Sequence, residues 1–188
     1  MNKIILACTI TSILLAYPSI FEFAKDTLII PEAQAAQADF YLKLEGVEGE
    51  STDSTHYGWI KIESFSFESH IARDSTTGLS TGKVSMSPFT VTKYFDKASP
   101  KLFEASATGE HFGLAEIVLV SSAGDFMRWT LQDCMVSSIQ FSGTSDVLTE
   151  SVSLNFNKIE MSYSPQKSDG TLDAPIKTGY DLGANKKV

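Results

Sequence analysis

Between Trp59 and Phe67 the apolar residues change faces partway along what otherwise reads as one strand. Ile60 and Ile62 share one parity, while Phe65 and Phe67 take the parity of Trp59. Side chains alternate strictly along a strand, so a slip keeps the apolar set buried only through a bulge or a passage between packed layers. The slip recurs near the C-terminus, where Val152, Leu154 and Phe156 take one parity and Ile159, Met161 and Tyr163 the other. Two long strands with such slips are what a curled, closed sheet produces at its corners.

The rest of the chain from Asp39 also reads as mainly β. Phe40, Leu42 and Leu44 alternate with Tyr41, Lys43 and Glu45 up to Gly46, the pattern of a half-buried strand. Val84 to Tyr94 resumes it, with Pro88 marking an edge or bulge. Ile117–Val120 is apolar on both faces, as an interior or covered strand would be. Ser122-Ala123-Gly124-Asp125 reads as a hairpin turn, and Val136–Phe141 with Val147–Tyr163 as the last hairpin. One helix is expected: Ser99 as N-cap, Pro100 at the first helical position, Leu102, Phe103 and Ala105 as an apolar stripe, Gly109 as the stop. The polar connection from Glu68 to Lys83 has little to bury, and so is functional or disordered. The tail after Ser164 is turn-rich and ends in a short segment around Tyr180 and Leu182; no internal repeat is present.

Composition narrows the function. Hydrophobic residues make up 43% and charged residues 20%, typical of a soluble globular chain. The net charge of −8 excludes a nucleic-acid partner and docking on an anionic membrane, both of which require clustered Lys and Arg. Of the two cysteines, Cys8 lies in an N-terminal apolar run and Cys134 reads as a core residue, so neither a disulfide framework nor a zinc site is expected.

That N-terminal run follows Lys3 and extends from Ile4 to Ala16, the layout of a secretory signal peptide. Small-x-small sites at Ala33-Gln34-Ala35 and Ala36-Gln37-Ala38 would leave a domain of about 150 residues. The expected organisation is a leader over 1–38 and one domain over 39–188. Ile4 to Phe21, interrupted by Pro18, is barely long enough for the competing reading, an uncleaved membrane anchor.

No catalytic motif stands out: there is no Gly-x-Ser-x-Gly elbow, P-loop or His-Glu-x-x-His. The chain reads as a non-enzyme without cofactor or metal. His56 is expected in a loop hydrogen bond, His70 on an exposed hairpin, and His111 on the carbonyls that end the helix. Trp59 and Trp129 are read as core rather than as stacking platforms for sugar.

Three blocks, in one order, resemble a known family. Thr92-Lys93-Tyr94-Phe95-Asp96-Lys97-Ala98-Ser99-Pro100-Lys101-Leu102 with Ala105-Ser106-Ala107-Thr108-Gly109-Glu110-His111-Phe112 resembles the strand-to-helix segment of the Hcp family, the inner-tube subunits of bacterial type VI secretion. Glu50-Ser51-Thr52-Asp53 with His56 and Trp59-Ile60 is similar to its early loop and second strand. Leu148 to Phe156, then Tyr163-Ser164-Pro165-Gln166 with Asp169-Gly170, resembles its C-terminal strands and the turn after them. The resemblance implies a two-sheet antiparallel β-barrel with one short flanking α-helix and an extended hairpin over Glu68–Lys83. It implies hexameric rings stacked into a tube, with small effector proteins in the lumen and sheath and spike proteins as partners. His70, Ile71, Arg73, Asp74, Thr76, Thr77, Leu79 and Lys83 on that hairpin become the candidate interface residues. The leader departs from the family, whose members begin almost at the first strand. A cleaved signal would place the protein in the periplasm or outside the cell; an ordinary family member would be cytoplasmic and then secreted. The alternative function is an exported monomeric module, an adhesin or a carbohydrate binder, which would show exposed aromatics in a cleft.

Overall fold

The computed structural model describes residues 38–73 and 80–188, the side chains of 72–73 and 80–83 excepted. Its elements are β1 (Asp39–Leu44), β2 (Ile60–Ile62), β3 (Ser64–Ser66), β4 (Ser69–Arg73), β5 (Ser80–Met86), β6 (Phe89–Tyr94), α1 (Ser99–Thr108), β7 (His111–Ser121), β8 (Gly124–Gly143), β9 (Leu148–Tyr163), β10 (Ile176–Asp181) and β11 (Lys186–Lys187). All ladders are antiparallel.

The slips fall where the sheet turns its corners. One strand order runs β11-β10-β9-β8-β7-β1-β2, while β3 pairs with β6 and β6 with β9. β2 and β3 are one run of chain broken at Glu63, whose N–H donates across to Thr92 O (2.7 Å). β1, β7, β8, β9, β6 and β3 therefore form a circuit of ladders that returns to β1 through this bend. The second slip lies at Asn157–Lys158. There β9 exchanges its neighbour β6, paired up to Leu154, for β10, paired from Lys158. Opposite it, Asp133 takes a left-handed conformation (φ 50°), and β8 bulges between Val136 and Ser138. Both irregularities let a strand of 20 residues bend from one layer into the other.

Inside the circuit, Leu42, Leu44, Ile60, Ile62, Phe89, Val91, Ile117, Leu131, Val152 and Leu154 are buried together. Removing each such side chain from water contributes about 1.5–3 kcal/mol. Aromatic contacts tie the layers: Phe89 stands 5.5 Å from Trp129 and 5.6 Å from Phe65, centroid to centroid. α1 lays Leu102 and Ala105 against β8 and ends at Gly109 (φ 70°), where the left-handed backbone suits glycine.

Three local expectations are corrected. Ser99 is not the N-cap: Ala98 holds that position without a side-chain cap, because the Ser99 hydroxyl is turned into a buried polar cluster. Val84–Tyr94 is not one strand, since Pro88 separates β5 from β6. The tail contains a full strand, β10, whose alternation is hidden by Lys177 and Gly179.

Candidate functional site

The conspicuous polar groups lie inside or bridge loops. Lys93 sits on the core parity of β6, after Phe89 and Val91, and is 0% exposed. Its Nζ donates to Glu150 Oε1 (2.5 Å), Tyr94 O (2.9 Å) and Ser99 Oγ (3.1 Å), and pairs with Asp96 Oδ1 (2.8 Å). Glu150 is equally buried on β9; Ser99 Oγ also donates to its Oε1, and accepts from the Asp96 N–H. This cluster pins the start of α1 to the β6–β9 ladder. It fixes the helix.

A second network joins the Glu50–Gly58 loop to the β7–β8 turn. His56 is 2% exposed, with Nδ1 2.8 Å from Asp53 Oδ1 and Nε2 3.2 Å from Asp125 Oδ1. Its ring stacks on Tyr41 at 4.8 Å and meets Trp59 edge-on at 4.9 Å. Arg128 braces the far side, donating to Asp125 Oδ2 (2.8 Å) and Glu116 Oε1 (2.5 Å). Hydrogen bonds from the His56 side chain, then from the His56 and Thr55 N–H groups, hold Asp53 below the usual carboxylate range. The loop bond expected for His56 is there, but it is half of a bridge between distant segments.

His111 is not at the helix carbonyls; it opens β7, and its Nδ1 donates to Asp133 Oδ1 at 3.0 Å. His70 lies on β4, 60% exposed. The histidines are not brought together, and no group of three or more His, Cys, Asp or Glu able to hold a metal occurs among the described residues. Cys134 is buried in the core, and burial pushes its thiol up to about 11. Trp129 is core, but Trp59 is not: it precedes β2, stands half-buried, and carries Lys43 Nζ 5.5 Å above its ring. Trp59 lies next to Ile60 and so faces away from the buried Ile60 and Ile62, and it shares the parity of Phe65 only across the break at Glu63.

β4 and β5 pair as an extended hairpin, separate from the main sheet. Ile71 on it is 43% exposed, and Arg73 pairs in register with Ser80. Lys83 lies on β5; Asp74, Thr76, Thr77 and Leu79 fall outside the described residues. Tyr94, Phe95, Phe103, Phe141 and Leu148 form a further exposed apolar set near the β8–β9 turn, with Phe95 and Phe141 5.3 Å apart. No helix among the described residues is long and apolar enough to cross a membrane.

These features define a mainly β structural building block with a separate two-stranded hairpin and exposed apolar surface. The family model for "Type VI secretion system effector, Hcp" matches residues 41–163. Protein hcp1 of Pseudomonas aeruginosa is 34% identical over 156 residues, 78% of this chain and 96% of its own. A solved structure of a type six secretion system protein superposes with a TM-score of 0.74 at 32% identity, over 80% of this chain and 99% of that one. The crystal structure of Hcp1 from Salmonella typhimurium gives 0.69 at 30% identity, with 80% and 99% covered. The chain belongs to the Hcp family of type VI secretion tube proteins.

Proposed function

We propose that the chain assembles head to tail into hexameric rings that stack into a tube, with small effectors in the lumen and sheath and spike proteins around it. One observation carries this reading. The layer β3-β6-β9-β8 ends in two open edges among the described residues. β3 pairs only with β6, and β8 beyond Met135 pairs only with β9. Natural proteins guard exposed edges with charge or proline. Here the edges read Ser64-Phe65-Ser66 and Ser138-Ile139-Gln140-Phe141-Ser142-Gly143, with neither. Joining one edge to the other is a heterologous contact, the kind that closes rings. Stable contacts would bury about 1,500 Å² or more each. The hairpin residues His70, Ile71, Arg73, Asp74, Thr76, Thr77, Leu79 and Lys83 serve the contact between rings in this reading. Residues 1–38 serve as a leader ahead of the 39–188 domain, and the chain acts as a non-enzymatic component.

Light scattering with negative-stain imaging tests it, on wild type and on a Ser138→Lys/Gln140→Lys double variant. Sixfold rings that are lost in the variant while circular dichroism is unchanged support the edge contact. Rings that survive both charges refute it. A second reading, an exported binding module, is favoured by Tyr57 and Trp59 standing in a cleft. A clean monomer across the concentration range would turn attention to that reading.

A further inference from the structure

The cations of this acidic chain are unevenly matched. Lys61, Lys97, Lys101, Arg128 and Lys158 each lie within 3.2 Å of a carboxylate, and Lys93 is buried among its own partners. Lys177, Lys186 and Lys187 are exposed and have no carboxylate partner among the described residues. All three stand on β10 and β11, one end of the strand order, while the other described cations without a carboxylate partner, Lys43 and Lys167, lie elsewhere. Ile176, 67% exposed, precedes Lys177 on a stretch of β10 whose outer side has no strand partner among the described residues.

β1 and β2 stand at the other end of the same strand order. A cleft of about 630 Å³ opens there, between the end of β1, the loop after it and β7. Tyr57 (76% exposed), Trp59 and Leu114 line it; three carboxylates, Glu45, Glu48 and Glu116, against one ammonium, Lys43 over the Trp59 ring, leave its charge negative. Glu48 and Glu116 are paired within the chain to Lys97 and Arg128. Glu45 pairs with no cation among the described residues; its carboxylate lies over Gly113.

We propose that this cleft receives the β10–β11 edge of a second copy, with Ile176 on the Tyr57 and Trp59 rings and the lysines against Glu45 and Glu48. The inference rests on the ring reading and names a contact within it. The two surfaces match in kind, apolar centre to apolar centre and cations to a cleft whose carboxylates outnumber its one lysine. They are two different patches of one subunit, as a head-to-tail contact requires. Subunits of net charge −8 repel one another unless opposite charges are brought face to face. Pairs at such a rim set orientation and association rate, and salt weakens them.

The test is charge exchange in the full-length chain, read by light scattering at low and high salt. Lys177→Glu/Lys186→Glu and Glu45→Lys/Glu48→Lys are each expected to weaken assembly by about tenfold or more at low salt. Mixing the two variants, or combining all four changes, is expected to restore it. Trp59 emission should shift on assembly, followed in a Trp129→Phe background. Circular dichroism identifies any variant that fails to fold; Lys186→Gln, which removes charge without reversing it, then replaces it and should give a smaller loss in the same direction. Rings indifferent to all the reversals, or reversals that combination does not rescue, overturn the cleft contact and leave the ring reading standing. A wild-type chain that stays monomeric overturns both.

Discussion

Lys93→Met removes an ammonium from the best-buried ion cluster of the fold. The side chain is 0% exposed, and four oxygens lie 2.5–3.1 Å from its Nζ. Without it, Glu150 (0% exposed) and Asp96 (11% exposed) face each other with no countercharge. Glu150 Oε2 is buried with no hydrogen-bond partner among the described residues, so the carboxylate has little else to lean on. Breaking one side of such a pair costs about 3–5 kcal/mol. For a domain of this size that lowers Tm by roughly 6–20 °C. Glu150→Gln should cost less, about 1–3 kcal/mol, because Lys93 keeps Asp96. In Lys93→Met/Glu150→Met both buried charges leave together, and most of the loss should return. Thermal melts at one fixed protein concentration measure this, because assembly makes Tm depend on concentration. A Lys93→Met loss below about 1 kcal/mol, or a double variant as unstable as the sum of the singles, would refute the cluster's role.

Two further outcomes follow from titrating groups. With its thiol held near 11 and buried, Cys134 should resist iodoacetamide at pH 8 in the native protein and react only on unfolding, read at that residue by peptide mass mapping so that Cys8 does not confuse the count; rapid native labelling would contradict this. Asp53 has a lowered folded pKa, so its contribution is fully present above the unfolded carboxylate value near ~3.9 and is lost as pH falls through the folded value. The Tm gap between wild type and Asp53→Asn should therefore be widest near neutral pH and shrink below about pH 4; a gap that grows in acid would show the sign to be wrong.

The parts of the fold legible from the residues are those fixed by side-chain alternation. The slips at Ile62–Phe65 and Phe156–Ile159 located both corners, because a buried face cannot change sides without one. The extended hairpin came with the resemblance and agreed with a polar run that had little to bury. The polar clusters were missed, although part of the signal was there. Lys93 follows Phe89 and Val91 on core parity, and Glu150 precedes Val152 and Leu154 on theirs. Two opposite charges on buried parities, in strands that pair, announce an internal ion pair once the pairing is known; Lys93 and Glu150 are direct partners in the β6–β9 register. The His56–Asp125 bridge could not be read at all, since 69 residues separate its ends and only the β7–β8 turn brings them together.

The open edge of β8 was illegible for a different reason: it is a difference between strand lengths. β8 has 20 residues and β7 has 11, and their ladder ends at Met135 and His111. Helix α1 occupies the chain just before β7, so β7 cannot lengthen to cover its neighbour. From Ser138 to Gly143 β8 therefore overhangs with β9 on one side only, a free edge of about 20 Å at strand rise. β3 is short on the other side of the same layer because the corner at Glu63 ends β2 just before it. The helix and the corner, both required to close the core of one subunit, are thus what leaves its layer unfinished at both ends. Edges left bare and uncharged in this way are ready templates for pairing with another chain.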